Sequence, residues 1–75
     1  MRSEIELVDE EGFPIMAVVT DLGRGARMVG FRTGSGPRGG VFRVGRTGVV
    51  SAHGRRIGGM WARLSRKAVQ EVSGP

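Results

Sequence analysis

The sequence predicts an α+β fold: a small antiparallel sheet of four or five short strands, open or rolled toward a barrel, followed by one C-terminal amphipathic helix. Three observations lead there. Short apolar segments alternate with polar residues at a period of two up to residue 52, and glycine-rich turns separate them. From residue 60 the apolar period changes to that of a helix. The chain has 75 residues and no cysteine, which is room for one domain without disulfides or thiolate metal ligands. A chain of this length buries roughly 60% of its extended surface on folding. Such a core is marginal, so compact packing or self-association has to stabilise it.

Glu4 to Val8 alternate, placing Ile5 and Leu7 on one face of a first strand. Asp9 to Gly12 reads as a turn, and the apolar run Ile15 to Thr20 as a second strand covered on both faces, paired with the first as a hairpin. Residues 27–33 offer a third strand with Val29 and Phe31 inward and Gly30 and Arg32 outward. Gly34 to Gly40 carries the strongest loop signal in the chain. Val41 to Val44 resumes strand character with Phe42 and Val44 on one face, Gly45 to Gly48 makes a tight turn, and residues 49–52 form a short fifth strand. His53 to Gly59 reads as a connection. In residues 60–72, Trp61, Leu64, Ala68 and Val72 recur at helical spacing, with Arg63, Arg66, Lys67 and Gln70 opposite. Gly58 and Gly59 bring no capping side chain, and Ser73-Gly74-Pro75 is a helix stop.

Charge is polarised along the chain. Residues 1–21 hold six acids against Arg2, a net −5, whereas residues 22–75 hold eleven bases against Glu71, a net +10. Part of the acidic segment is expected to pair with the basic one inside the fold, but even complete pairing leaves +5. Such an excess attracts polyanions, because each neutralised phosphate releases counterions.

Catalytic machinery is not legible, and no enzyme activity or cofactor is expected. Gly34 to Gly39 spells a G-x-G-x-x-G loop, but a strand follows where a phosphate-binding helix would have to begin. Glu4 and Glu6 share one strand face as a solvated pair, and the acids near residue 10 lack calcium-loop spacing. His53 has no acid nearby in sequence to orient it. No apolar run is long enough to span a membrane, and residues 1–4 lack the apolar stretch of a signal peptide, so a cytoplasmic, non-membrane protein is expected.

The basic constellation is the main functional signal. Arg38, Arg43, Arg46, Arg55 and Arg56 lie in or beside glycine-rich turns, and Arg63, Arg66 and Lys67 share the polar helix face. The planar guanidinium fork suits phosphate oxygens. With Phe31, Phe42 and Trp61 assigned to the core, base stacking is not expected, so nucleic-acid binding would be phosphate-led and weakly sequence-specific. The first expectation is therefore a small non-enzymatic nucleic-acid-binding protein. The second is an inhibitor or accessory protein of the kind phages use against nucleoprotein complexes such as CRISPR effectors. It would bind by protein–protein contacts, with Glu4, Glu6, Asp9, Glu10 and Glu11 as its acidic partner-binding residues. The third is a structural homo-oligomer that shares its sheet between chains.

Overall fold

The structure, a computed structural model, describes residues 2–73. Six strands are followed by one helix: β1 (Arg2–Val8), β2 (Pro14–Gly23), β3 (Ala26–Thr33), β4 (Gly36–Gly45), β5 (Gly48–Ser51), β6 (Arg56–Ile57) and α1 (Gly59–Ser73). Their order in the sheet is β1-β2-β3-β4-β5-β6, and every neighbouring pair is antiparallel. The α+β class and the C-terminal helix are as the sequence predicts. The sheet is open, with β1 and β6 at its edges, so the barrel alternative is not realised.

Cross-strand register fixes two unlike faces. The triples Ala17–Phe31 with Ile5, and Val29–Phe42 with Val19, align core-facing side chains across β1 to β4, and Val44–Val49–Ile57 continue them through β6, with Ile5 and Ile57 partly buried at the two edges. Helix α1 covers this face with Ala62, Leu64 and Ala68, and the twelve buried apolar residues form one cluster. Complete burial of a Leu, Ile or Phe contributes about 1.5–3 kcal/mol, so this layer carries most of the stability. The other face has no layer over it. Val18 and Met16 on β2 are half-buried, and Met28 and Val41 beside them are exposed. The expectation that β2 is covered on both faces is thus corrected: its continuous apolar run buries Ile15, Ala17 and Val19, and turns its alternate residues to the open face.

The other differences from the sequence reading have local causes. There are six strands, not four or five, because Arg56–Ile57, within the predicted 53–59 connection, pairs with Val50 and Val49. The loop assigned to Gly34–Gly40 is mostly strand: only Gly34 and Ser35 form the turn, and β4 starts at Gly36, opposite Thr33. Opposite Phe31 the register slips, with Arg38, Gly39 and Gly40 filling the interval between the Arg32–Pro37 and Gly30–Val41 pairs. Glycine is needed there because Gly39 has φ +82° and a Cβ would stand 2.8 Å from the Trp61 ring. Glycine inside a strand often marks such a close approach. Trp61 also packs on Phe31 (centroids 5.3 Å apart) and on Phe42 (6.0 Å).

Helix α1 starts at Gly59, with no acid in its first turn and no base in its last. The predicted stop lies, beyond Ser73, outside the described residues. Ser65 is fully buried on the sheet-facing side, where a helical pattern of large apolar residues alone does not place it. Among the described residues no helix is long and apolar enough to cross a membrane.

Candidate nucleic-acid interface

The acidic and basic halves of the sequence meet at the β1–β2 turn. Asp9 organises that turn: its Oδ1 accepts the backbone N–H groups of Glu11 and Phe13, both at 2.9 Å. Its other oxygen, Oδ2, accepts Arg38 Nη1 at 2.8 Å. The Asp9 side chain is entirely shielded from solvent. The Phe13 amide, then the Arg38 guanidinium and the Glu11 amide, hold its carboxyl below the ordinary 3.8, against the opposing effect of burial. Arg38 also approaches Glu11 at 3.6 Å and lies 5.6 Å from the Trp61 ring centroid, a cation–π distance. From the helix, Arg63 grips Glu10 with two bonds, Nε to Oε2 at 2.5 Å and Nη2 to Oε1 at 2.6 Å. That fork lowers the Glu10 pKa from 4.5 and raises that of Arg63.

Elsewhere Glu4 pairs with Arg32 at 2.5 Å and with Arg2 at 3.8 Å, and Asp21 pairs with Arg27 at 3.9 Å. Five arginines are therefore matched by five acids among the described residues: Arg2, Arg27, Arg32, Arg38 and Arg63 against Glu4, Asp9, Glu10, Glu11 and Asp21. The whole net charge of +5 resides in what is left over. That remainder is Arg24, Arg43, Arg46, Arg55, Arg56, Arg66 and Lys67, against Glu6 and Glu71.

Six of these seven cations lie on β4–β6, their turns and the outer face of α1. Arg43 and Arg56 flank Val50 across three adjacent strands, so all three share the open face. Arg46 occupies the β4–β5 turn. Arg55 ends the β5–β6 loop, which Ser51 shapes: its Oγ accepts the amides of His53 (3.3 Å) and Arg55 (3.2 Å). His53 is exposed in that loop. Arg66 reaches from the helix to the β4–β5 turn, its Nη2 3.7 Å from where a Gly48 Cβ would stand. Lys67 follows it on the exposed helix surface.

The eight basic residues singled out from the sequence thus divide. Arg43, Arg46, Arg55, Arg56, Arg66 and Lys67 are exposed and unpaired among the described residues, while Arg38 and Arg63 fasten the β1–β2 turn to the sheet and helix. Of the acids, Glu4, Asp9, Glu10 and Glu11 are engaged in ion pairs, and only Glu6 stays unpaired on β1. Sequence reasoning did not single out Thr47, Gly48 and Ile57, which together with Val49, Arg56 and Arg66 line a small hollow at the β6 edge. The Gly45–Gly48 turn signal was the one available pointer to it. No cluster of three or more metal-ligating His, Cys, Asp or Glu side chains occurs among the described residues. No protein-family model, curated protein or solved structure matches the chain.

Proposed function

We propose that this protein is a non-enzymatic nucleic-acid-binding module that clamps backbone phosphates with Arg43, Arg46, Arg55, Arg56, Arg66 and Lys67. The observation that carries the reading is the segregation of charge. Acids neutralise the cations at the β1 side of the sheet, and the +5 excess is left on β4–β6 and α1. Guanidinium groups on short turns and an edge strand can follow a phosphate backbone without reading bases. Phe31, Phe42 and Trp61 are packed together in or against the core, and the one exposed ring, Phe13, sits at the acidic β1–β2 turn rather than on β4–β6, so stacking contributes little and sequence preference is weak.

The test is binding to generic duplex DNA and to single-stranded RNA across a salt series. Affinity should fall log-linearly with salt. For duplex the slope should approach about −5 if all six cations engage. The double substitution Arg55→Glu/Arg56→Glu should abolish binding, whereas Glu10→Gln, which frees Arg63, should leave it unchanged or tighter. Absence of binding at low salt would reject the reading and make the basic surface a docking site for an acidic protein partner.

A further inference from the structure

Two of the arginines without an ion-pair partner among the described residues border one hollow at the β6 edge. Arg56, from the edge strand, and Arg66, from the helix, both line the hollow beside the Thr47–Gly48 turn. Its volume is about 110 Å³. That is room for a few water molecules or one tetrahedral oxyanion, and well below the roughly 300 Å³ where small-molecule pockets begin. Thr47 adds a hydroxyl able to donate to an oxyanion, and Gly48 leaves the Arg66 guanidinium a clear approach to the turn.

Like charges brought to a shared hollow repel each other, and no carboxylate among the described residues pairs with either arginine. Five of the seven carboxylates are used at the β1–β2 turn and on β1 to β3, and the remaining two, Glu6 and Glu71, pair with neither arginine. An anion of charge near −2 is what this arrangement lacks. A phosphate monoester carries about −1.5 to −2 at neutral pH, whereas an internal phosphodiester carries only a single charge. The partial enclosure favours the same choice, since a chain end can enter a hollow that a continuous backbone can only pass over.

We infer that the hollow bounded by Thr47, Gly48, Arg56 and Arg66 seats a single terminal phosphate, the phosphorylated end of a nucleic-acid strand. This deepens the nucleic-acid reading above and rests on it for the nature of the ligand. The remaining cations would then hold the first few backbone phosphates beyond that end.

The experiment compares two otherwise identical fluorescent single-stranded oligonucleotides, one with a 5′-phosphate and one with a 5′-hydroxyl, and a second pair differing at the 3′ end. Anisotropy titrations at about 150 mM salt should show at least tenfold tighter binding of one phosphorylated end over its hydroxyl counterpart. Arg56→Gln and Arg66→Gln should each collapse that difference, while Lys67→Gln should weaken both members of a pair equally and preserve it. Equal affinity within both pairs overturns the terminal seat while leaving general phosphate binding standing. If no oligonucleotide binds, the nucleic-acid reading fails, and inorganic phosphate becomes the probe of the hollow. Saturable shifts of the Thr47 and Gly48 amide resonances, absent in Arg66→Gln, then support a phosphate seat, and their absence in the wild type overturns it.

Discussion

Replacing Gly39 by alanine should be among the most damaging single-methyl changes this chain can suffer. Two costs combine. At φ +82° an L-residue occupies the left-handed region, which costs about 1–2 kcal/mol. The new methyl also stands 2.8–2.9 Å from three Trp61 ring atoms, far inside ordinary contact. The ring cannot withdraw freely, because Phe31 and Phe42 hold one side and the Arg38 guanidinium lies over it. Overpacking of this kind costs about 1–3 kcal/mol. A total of about 2–5 kcal/mol compares with a stability of about 4–11 kcal/mol for a domain of this length. With a urea slope of roughly 1 kcal/mol per molar, the unfolding midpoint should fall by about 2 M or more.

The assay is built in. Trp61 is the single tryptophan and tyrosine is absent, so intrinsic emission reports on the surroundings of this one ring. A second arm separates the two costs: in a Trp61→Leu background, followed by circular dichroism, the overlap vanishes and only the backbone cost persists. The double-mutant cycle should then return a coupling of about 1–3 kcal/mol. A midpoint shift under 0.5 M, or no coupling to Trp61, would refute the view that Gly39 is the seat of the ring.

Three further outcomes follow from the same reasoning. Arg24, at φ +55° in the two-residue turn between the paired Gly23 and Ala26, occupies a position where asparagine is preferred; Arg24→Asn should raise stability by about 0.5–1 kcal/mol, seen as a higher melting temperature. Ser65 Oγ is buried without a hydrogen-bond partner, so Ser65→Ala should be neutral or stabilising by up to about 1 kcal/mol in urea titrations; a clear loss would mean that the hydroxyl has a partner. Asp9 and Glu10 have folded-state pKa values below their ordinary ones, so protons bind the unfolded chain first and stability falls as pH drops below about 4.5 toward those lowered values. The stability gap between wild type and Asp9→Asn should therefore hold constant from pH 8 to 5 and close below about 4; a pH-independent gap contradicts the assigned role of the Asp9 charge.

What could be read from the residues alone was set by the range of the interactions involved. Period-two alternation is a local property, so the inward pairs Ile5/Leu7, Val29/Phe31 and Phe42/Val44 were legible, as was the helix carrying Leu64 and Ala68. The glycines of the segment Gly36–Gly40 resemble loop punctuation, whereas one of them, Gly39, leaves room for a ring 22 residues further on, that of Trp61. The two-residue β6 is too short to show any period. The same limit applies to the site. Nothing local distinguishes Arg38 from Arg43, or Arg63 from Arg66. The distinction arises because the β1–β2 turn lies within reach of one member of each pair, across 29 residues for Asp9–Arg38 and 53 for Glu10–Arg63.

The strand order, identical to the order along the chain, also bears on how the molecule assembles in time. Each strand finds its neighbour through a short hairpin, so loop-closure entropy is small at every step and rapid zippering is expected. The helix is different: it touches β1 through β5, so its docking closes the longest loops in the molecule. During synthesis the sheet can pair while Val29, Phe31 and Phe42 still face water, because their cover is encoded last. At roughly 5–20 residues per second, that exposure lasts from one to a few seconds on each nascent chain. For this interval both sheet faces are uncovered, and the arrival of Trp61 at Gly39 is the event that ends it.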